Sequence, residues 1–288
     1  MNLSSPNRPR RDCKSNAVSD ANSDQATAAA FATSWNSLSA GSVYTYDQFR
    51  DWLTPLTKRD VHGQSVLELG CGNGSLMHHS LDWQPTHLHG IDLGEAVRSA
   101  RANLSQTRYT NWTVKQADLV TYRSEGFDLV YCIGVLHHLQ NPEAGFRAVV
   151  ANVRPGGRLH CWVYAKEGNR LVTLLVEPIR KIASKLPWRV NKYLAAVPLA
   201  LFFFFYAKIL AKALPGTALS RLPMHAYCRW IAKRDFGIFR HVVFDQLVTP
   251  RTTYLERGTI ASWLKDSRID SSSTYILMRN GNSWKFGG

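Results

Sequence analysis

The chain has 288 residues, 45% of them hydrophobic, which is enough apolar material for one large domain or for one domain with an insert. No collagen-like or solenoid period is present, and five cysteines (Cys13, Cys71, Cys132, Cys161, Cys228) without a C-x-x-C pair exclude a zinc site of that pattern and read as reduced, intracellular and structural. The net charge of +14 is localised: residues 1–153 hold 13 Lys/Arg against 14 Asp/Glu, residues 154–240 hold 16 against 3, and residues 241–288 hold 6 against 4. The middle stretch is therefore expected to face an anionic partner or an acidic surface.

Residues 1–26 are rich in Ser, Asn, Asp and Arg and lack an apolar h-region, so they read as a disordered tail rather than a signal peptide. From Phe31 the composition changes. Trp35-Asn36 precedes an amphipathic helix with Phe49, Trp52, Leu53 and Leu56 on one side, a strap packed on a sheet or a cover over a pocket.

Alternating strand and helix patterns follow. Strands are expected at Ser65–Leu69, His87–Ile91, Trp112–Gln116, Phe127–Ile133 and Arg158–Val163. A helix is expected from Gly94 to about Asn103, and another over Pro142–Val153, with Pro in its first turn and Pro155-Gly156-Gly157 beyond its end. The first strand runs through Glu68 into the loop Gly70-Cys71-Gly72-Asn73-Gly74 and then into an apolar helical pattern. Glycines are needed there because the backbone must turn tightly and approach a ligand that a Cβ would obstruct. Asp92 closes the second strand 22 residues after Gly70, where an open parallel sheet places a carboxylate for the ribose hydroxyls of a nucleoside.

This set of motifs resembles the class I S-adenosylmethionine-dependent methyltransferases. Glu-Leu-Gly-Cys-Gly-Asn-Gly is similar to their first motif, Asp92 to their second acidic position, Asp118 of Gln116-Ala117-Asp118-Leu119 to the adenine-side acid, and Arg154–Leu159 to the turn before the fifth strand. The resemblance covers about residues 35–163 and resumes from about 244. It implies a Rossmann-like, doubly wound seven-stranded α/β sheet of order 3-2-1-4-5-7-6 with an antiparallel last strand, and S-adenosyl-L-methionine as cofactor. The implied cofactor set is Glu68, Gly70, Gly72, Asn73, Gly74, Asp92, Leu93, Asp118, Leu119 and Ile133; Asp118 also reads as an ordinary helix cap. Gly134-Val135-Leu136-His137-His138 ends the fourth strand, where the methyl should emerge, and offers His138 or His137 as a general base or as packing residues. Tyr164 is a further candidate for the acceptor pocket. No D-P-P-Y sequence occurs, which disfavours a nucleic-acid base as acceptor, and no Asp-Asn metal set follows strands four and five. The expected acceptor is a small or lipid-linked molecule. A non-catalytic, membrane-associated nucleoside-binding module is the alternative. An NAD-linked oxidoreductase is disfavoured because Ser75 and Leu76 follow the loop in place of a third, offset glycine.

The domain reading is a core over 27–165, an insert over 166–243 and completion of the core over 244–288. In the insert, Ile179, Ile182, Ala183 and Leu186 lie at helical spacing opposite Arg180, Lys181, Lys185 and Arg189, as a basic amphipathic helix would have them. Leu194–Ala207 is an apolar run of 14 residues, short of the ~20 of a spanning helix. A single crossing would also separate residues 259–286 from the sheet they must rejoin. The run is expected either to cap the active site or to lie in a membrane interface, with peripheral contact through 177–240 on a cytoplasmic protein. A helix over Thr259–Leu264, a strand over Ser272–Leu277, an Asn280-Gly281 turn and a return strand Ser283–Phe286 close the chain.

Overall fold

The computed structural model describes residues 24–32, 44–213, 216–222 and 224–288. Most of the stretch read as a tail, along with Cys13, Trp35 and Asn36, lies outside them. Residues 24–32 are helical (α1), so the expected tail boundary at 26 falls inside a helix.

The sheet comprises β1 (Ser65–Leu69), β2 (His87–Asp92), β3 (Trp112–Gln116), β4 (Phe127–Ile133), β5 (Val153–Tyr164), β6 (Tyr275–Arg279) and β7 (Ser283–Gly287), in the order 3-2-1-4-5-7-6. The first five strands pair in parallel, while β7 runs antiparallel between β5 and β6. Strand β5 begins at Val153 rather than Arg158 because the Pro-Gly-Gly turn is taken up as a register irregularity opposite Phe127–Leu129.

Strand alternation divides the core between the two faces. Val66, Leu129, Tyr131 and Ile133 pack on one face with α2 (Tyr46–Leu53), α4 (Ser75–Leu81) and α5 (Ala96–Leu104). Leu67, Leu69, Val130, Cys132, Leu159 and Cys161 pack on the other with α6 (Pro142–Ala151) and α12 (Arg257–Asp266). Glu68 shares the first face, so the side chain after Leu67 lies among aromatic residues and beneath the loop that follows β1. The helix α2 starts on a capping box between Thr45 and Gln48, and a short turn, α3 (Lys58–Val61), leads from it to β1. Phe49, Trp52 and Leu53 bury against the sheet while Tyr44, Gln48 and Trp52 line the cavity described below, so this segment is both strap and cover.

Between β5 and α12 the chain builds α7 (Glu177–Ala183) and α8 (Trp188–Val190), then passes through a π-helical stretch (Asn191–Ala195) into α9 (Ala196–Ala211), followed by α10 (His225–Ile231) and α11 (Phe236–Val248). Two small cores hold it together. One joins Ala183 and Ala196 to Phe244, Leu247 and Val248, and the other joins Ala207 and Leu210 to Cys228, Ile231 and Phe239. Because α11 belongs to both and runs through residue 243, the insert ends near Thr249, later than the sequence division.

The two sides of α7 are mixed in burial: Ala183 and Arg180 are inward, while Lys181 and Lys185 are exposed beside Ile182. Arg180 is 1% exposed while Ile182 is 70% exposed. Burial of the guanidinium is offset by hydrogen bonds: Nε donates to the Gln246 carbonyl at 2.7 Å, Nη2 to Gln246 Oε1 at 2.6 Å, and Nη1 to Glu177 at 2.5 Å. Residues 191–211 form a 21-residue helix whose most apolar 18-residue stretch has a mean hydropathy of 2.1, long and apolar enough to cross a membrane by length and composition. The 14-residue apolar run understated that length because the helix extends three residues before it, Asn191 to Tyr193, and four beyond it, Lys208 to Ala211.

Candidate active site

A cavity of about 640 Å³ runs from the glycine loop, past the ends of β4 and β5, into the insert. Its walls are mostly apolar. The β1 loop, the end of β2 and the turn after β4 meet there with helices α1, α2, α7, α9, α10 and α11.

At the loop end, Gly70 has φ +82° and Gly72 has φ +52°, backbone that favours glycine. A Cβ at Gly70 would collide with Val135, whereas a Cβ at Gly72 would enter open space, leaving room for a ligand against the bare backbone. The Gly70 and Cys71 N–H groups donate to the Ile91 carbonyl at 2.8 and 2.9 Å, tying the loop to the strand that ends in Asp92. Asp92 accepts from Gly72 N–H at 3.0 Å through one oxygen and from Gly94 N–H at 2.8 Å through the other. Burial raises its pKa and those two hydrogen bonds oppose the rise. The carboxylate is thereby fixed in orientation with acceptor capacity remaining on both oxygens. Glu68 is 2% exposed and accepts from Tyr131 Oη at 2.9 Å, with Ser80 Oγ 2.8 Å from the same hydroxyl. Burial pushes its pKa up to about 8, the Tyr131 hydrogen bond working against the shift, so Glu68 is protonated at neutral pH until a cation approaches. Asp118 accepts the Val120 N–H through Oδ1 at 2.8 Å at the head of a non-helical turn, so it caps no helix, and it lines the cavity.

Glu68, Gly70, Gly72, Asn73, Asp92, Leu93, Asp118, Leu119, Ile133, His137 and His138 all line this one space. Gly74 does not. At φ +78° a Cβ there would stand 3.2 Å from Ala100 Cβ, so its glycine serves the close packing of α4 on α5. Asn73 turns its carbonyl to Ser75, accepting from Oγ at 2.7 Å, and so caps the helix rather than offering that oxygen to a ligand.

The turn after β4 carries the two histidines. His138 Nδ1 is 3.0 Å from the Arg251 carbonyl, which can only accept; Nδ1 therefore bears the proton and Nε2 holds the lone pair. Burial lowers the His138 pKa to about 4, partly opposed by that hydrogen bond, and Phe31 of α1 closes on the ring at 5.0 Å between centroids. His137 is fully buried, lies 4.2 Å from the Tyr164 ring, and is held neutral by burial and by the neighbouring His138. Its two nitrogens, Trp52 Nε1 and Trp162 Nε1 have no partner. Tyr164 Oη accepts from Gln246 Nε2 at 3.0 Å, and Gln246 is held in turn by Arg180.

Several cavity residues had no local signature in sequence: Trp162, Trp230, Gln246, Tyr254 and Arg279. They come from separate elements, and only the fold collects them. Arg279 Nε donates to Asp51 Oδ2 at 2.8 Å, and the guanidinium carbon lies 5.8, 5.9 and 4.9 Å from the ring centres of Trp52, Trp162 and Trp230. This cluster fastens α10 of the insert to the core. Among the described residues, no group of His, Cys, Asp and Glu is disposed to hold a metal ion.

Residues 67–159 match the methyltransferase domain family. A ubiquinone biosynthesis O-methyltransferase from Aeromonas salmonicida is 31% identical over 114 residues, 38% of this chain and 46% of that protein. An uncharacterized protein from Synechococcus is 32% identical over 120 residues, 40% of this chain and 28% of its own. The chain thus spans less than half the length of these curated relatives. Among solved structures, magnesium protoporphyrin IX methyltransferase from Synechocystis PCC 6803 with bound SAH aligns over 84% of this chain and 80% of its own at 17% identity and a TM-score of 0.48. The domain match falls on the strands and loop that build the cofactor end of the cavity, and the fit of that end to a nucleoside agrees with it. Residues 67–159 thus carry a methyltransferase domain, and the end of the cavity that they build fits S-adenosylmethionine as cofactor.

Proposed function

We propose that this chain methylates an oxygen of an apolar, lipid-like acceptor, taking the methyl group from S-adenosylmethionine. The single observation that carries the reading is the continuity of the cavity, with a lone pair on His138 Nε2 at the junction between the nucleoside end and the apolar end. Bound at the first end, S-adenosylmethionine supplies a methyl group on a sulfonium, a good leaving group for in-line displacement.

Asp92 takes the ribose hydroxyls, Asp118 faces the adenine side, and Glu68 gives up its proton to stand as a carboxylate beside a cationic ligand. His138 Nε2 accepts the proton of the acceptor hydroxyl as the oxygen–methyl bond forms, and the Arg251 carbonyl holds the ring through Nδ1 while it carries positive charge. Burial lowers the His138 pKa to about 4, so it is unprotonated throughout the neutral range but a weak base, and it takes the proton only as the acceptor oxygen loses it to bond formation with the methyl. The apolar walls exclude water, and the unpartnered indole N–H groups of Trp52 and Trp162 suit an acceptor that presents an oxygen. The relative named for O-methylation in ubiquinone biosynthesis supports oxygen as the acceptor atom.

The test is transfer of isotope-labelled methyl from the donor to total lipid and small-molecule extracts, followed by mass analysis of the products. An O-methylated apolar product that is lost with His138→Gln is the expected result. Label on nitrogen or carbon removes the oxygen assignment, and tight cofactor binding with no transfer to any extract makes the chain a non-catalytic binding module.

A further inference from the structure

We infer that the insert is a docking surface for an anionic phospholipid bilayer, placed so that the cavity opens into the lipid. The inference goes beyond the proposed reaction and does not depend on turnover.

It starts from which side chains are left outside. On α9 the buried residues are Ala196, Ala200, Ala207 and Leu210, three of them as small as a helix contact allows, so α10 and α11 approach closely on that side. Phe203 and Phe204 pack on Phe239, but five large apolar residues of the 191–211 helix point away: Leu194 is 72% exposed, Leu201 43%, Phe202 72%, Phe205 61% and Ile209 59%. The 201, 205, 209 spacing places them on one face of the helix. The segment ahead of it does the same, with Leu175 60%, Ile179 39%, Ile182 70% and Leu186 41% exposed at intervals of four, three and four residues. So many large apolar side chains on the outside of one substructure mark an interaction surface.

Charge selects the partner. Lys181 and Lys185 are exposed on the stripe beside Ile182 and Leu186, Lys212 is exposed just past the end of α9, and residues 154–240 carry 16 basic residues against three acidic ones. An apolar face edged with cations fits a bilayer of anionic lipid. Leu175, Ile179 and Phe202 are each exposed and each line the cavity, so its mouth lies within this apolar surface. An acceptor dissolved in the membrane can enter there without crossing water. The helix 191–211 is long enough to span, but one of its faces is taken by α10 and α11, and the chain on either side returns to the same sheet.

The experiment is sedimentation of the full chain with phosphatidylcholine vesicles, with and without phosphatidylglycerol, over a salt series. Expected is binding that rises with phosphatidylglycerol and falls with salt. Phe205→Ser with Ile209→Ser, neither of which lines the cavity, should weaken binding to anionic vesicles by on the order of tenfold or more. Lys181→Glu with Lys185→Glu should weaken binding to anionic vesicles by a similar factor and leave the neutral-vesicle fraction unchanged. Calorimetry with S-adenosylhomocysteine checks that each variant is folded. Three results overturn the inference: recovery of the wild type in the supernatant with both vesicle types at low salt, a homodimer that Phe205→Ser with Ile209→Ser dissolves, or resistance to alkaline carbonate extraction, which marks a spanning helix.

Discussion

The α/β core and the helical insert use the same apolar residue types in opposite senses. In α5 the residues turned inward are Ala96, Val97, Ala100 and Leu104, the set that helical periodicity selects. In α9 the fully buried residues are mostly alanine while Leu201, Phe202, Phe205 and Ile209 face out, and in α7 the side chains sent inward are Arg180 and Ala183. The difference shows that periodicity identifies two faces of a helix without saying which is the inner one. Where a second apolar medium lies outside, small size and hydrogen-bonding capacity decide which face packs.

On the proposed reading, cofactor binding falls to the core, acceptor binding to the insert and chemistry to their junction, and variants can separate the three. The largest effect is expected for Asp92→Ala, which removes two charge-assisted hydrogen bonds to the nucleoside and should weaken S-adenosylhomocysteine binding by roughly 10² to 10⁴. Calorimetry on a variant whose melting curve is retained checks it, and unchanged affinity would take the ribose role away from Asp92. At the junction, His138→Gln should lower turnover by roughly 10² with cofactor affinity unchanged. A proportional loss of both would reduce His138 to a packing residue.

A smaller effect follows from Glu68, whose raised pKa of about 8 has two consequences of opposite sign. Without ligand, the folded chain keeps a proton that the unfolded chain releases near 4.5, so Glu68 lowers stability as pH rises from about 4.5 to about 8. A cationic ligand needs the ionised carboxylate, so its affinity should rise over the upper part of that window, by up to roughly tenfold per pH unit. Glu68→Gln should flatten both profiles, as measured by melting temperature and calorimetry across pH. The smallest effect on cofactor binding belongs to Arg279→Ala, which loosens the insert from the core. It should cost roughly 1 to 3 kcal/mol of stability and speed proteolysis within 166–249, while leaving cofactor affinity within about twofold. A tenfold loss of cofactor binding would show that the two regions are coupled.

The central strands could be read from the sequence because β1, β2 and β4 are apolar runs bounded by turn residues and mostly buried, whereas the order of the seven came only from the family resemblance. The cofactor end of the cavity could be read because one local motif and one spacing, Gly70 to Asp92, specify it. Gly74 was assigned to the wrong neighbour, since nothing local distinguishes a glycine that admits a ligand from one that admits Ala100. Trp162, Gln246 and Arg279 could not be found at all: their proximity is a property of β5, α11 and β6 meeting, with no spacing to announce it. In the insert the identity of the helices was legible and their orientation was not.

The whole excursion between β5 and α12 leaves and rejoins the core at one point. Ala165 bridges to Leu255, with Leu255 N–H donating to the Tyr164 carbonyl at 3.0 Å and Lys166 N–H to the Leu255 carbonyl at 2.9 Å. The sheet therefore holds the two ends together whatever lies between them, and the entropy of closing such a loop grows only with the logarithm of its length. Seen this way, residues 166–254 are a cassette on a fixed socket. If the proposed reading holds, exchanging it for another segment with the same two anchor points should change which acceptor is methylated while the nucleoside grip beneath it stays the same.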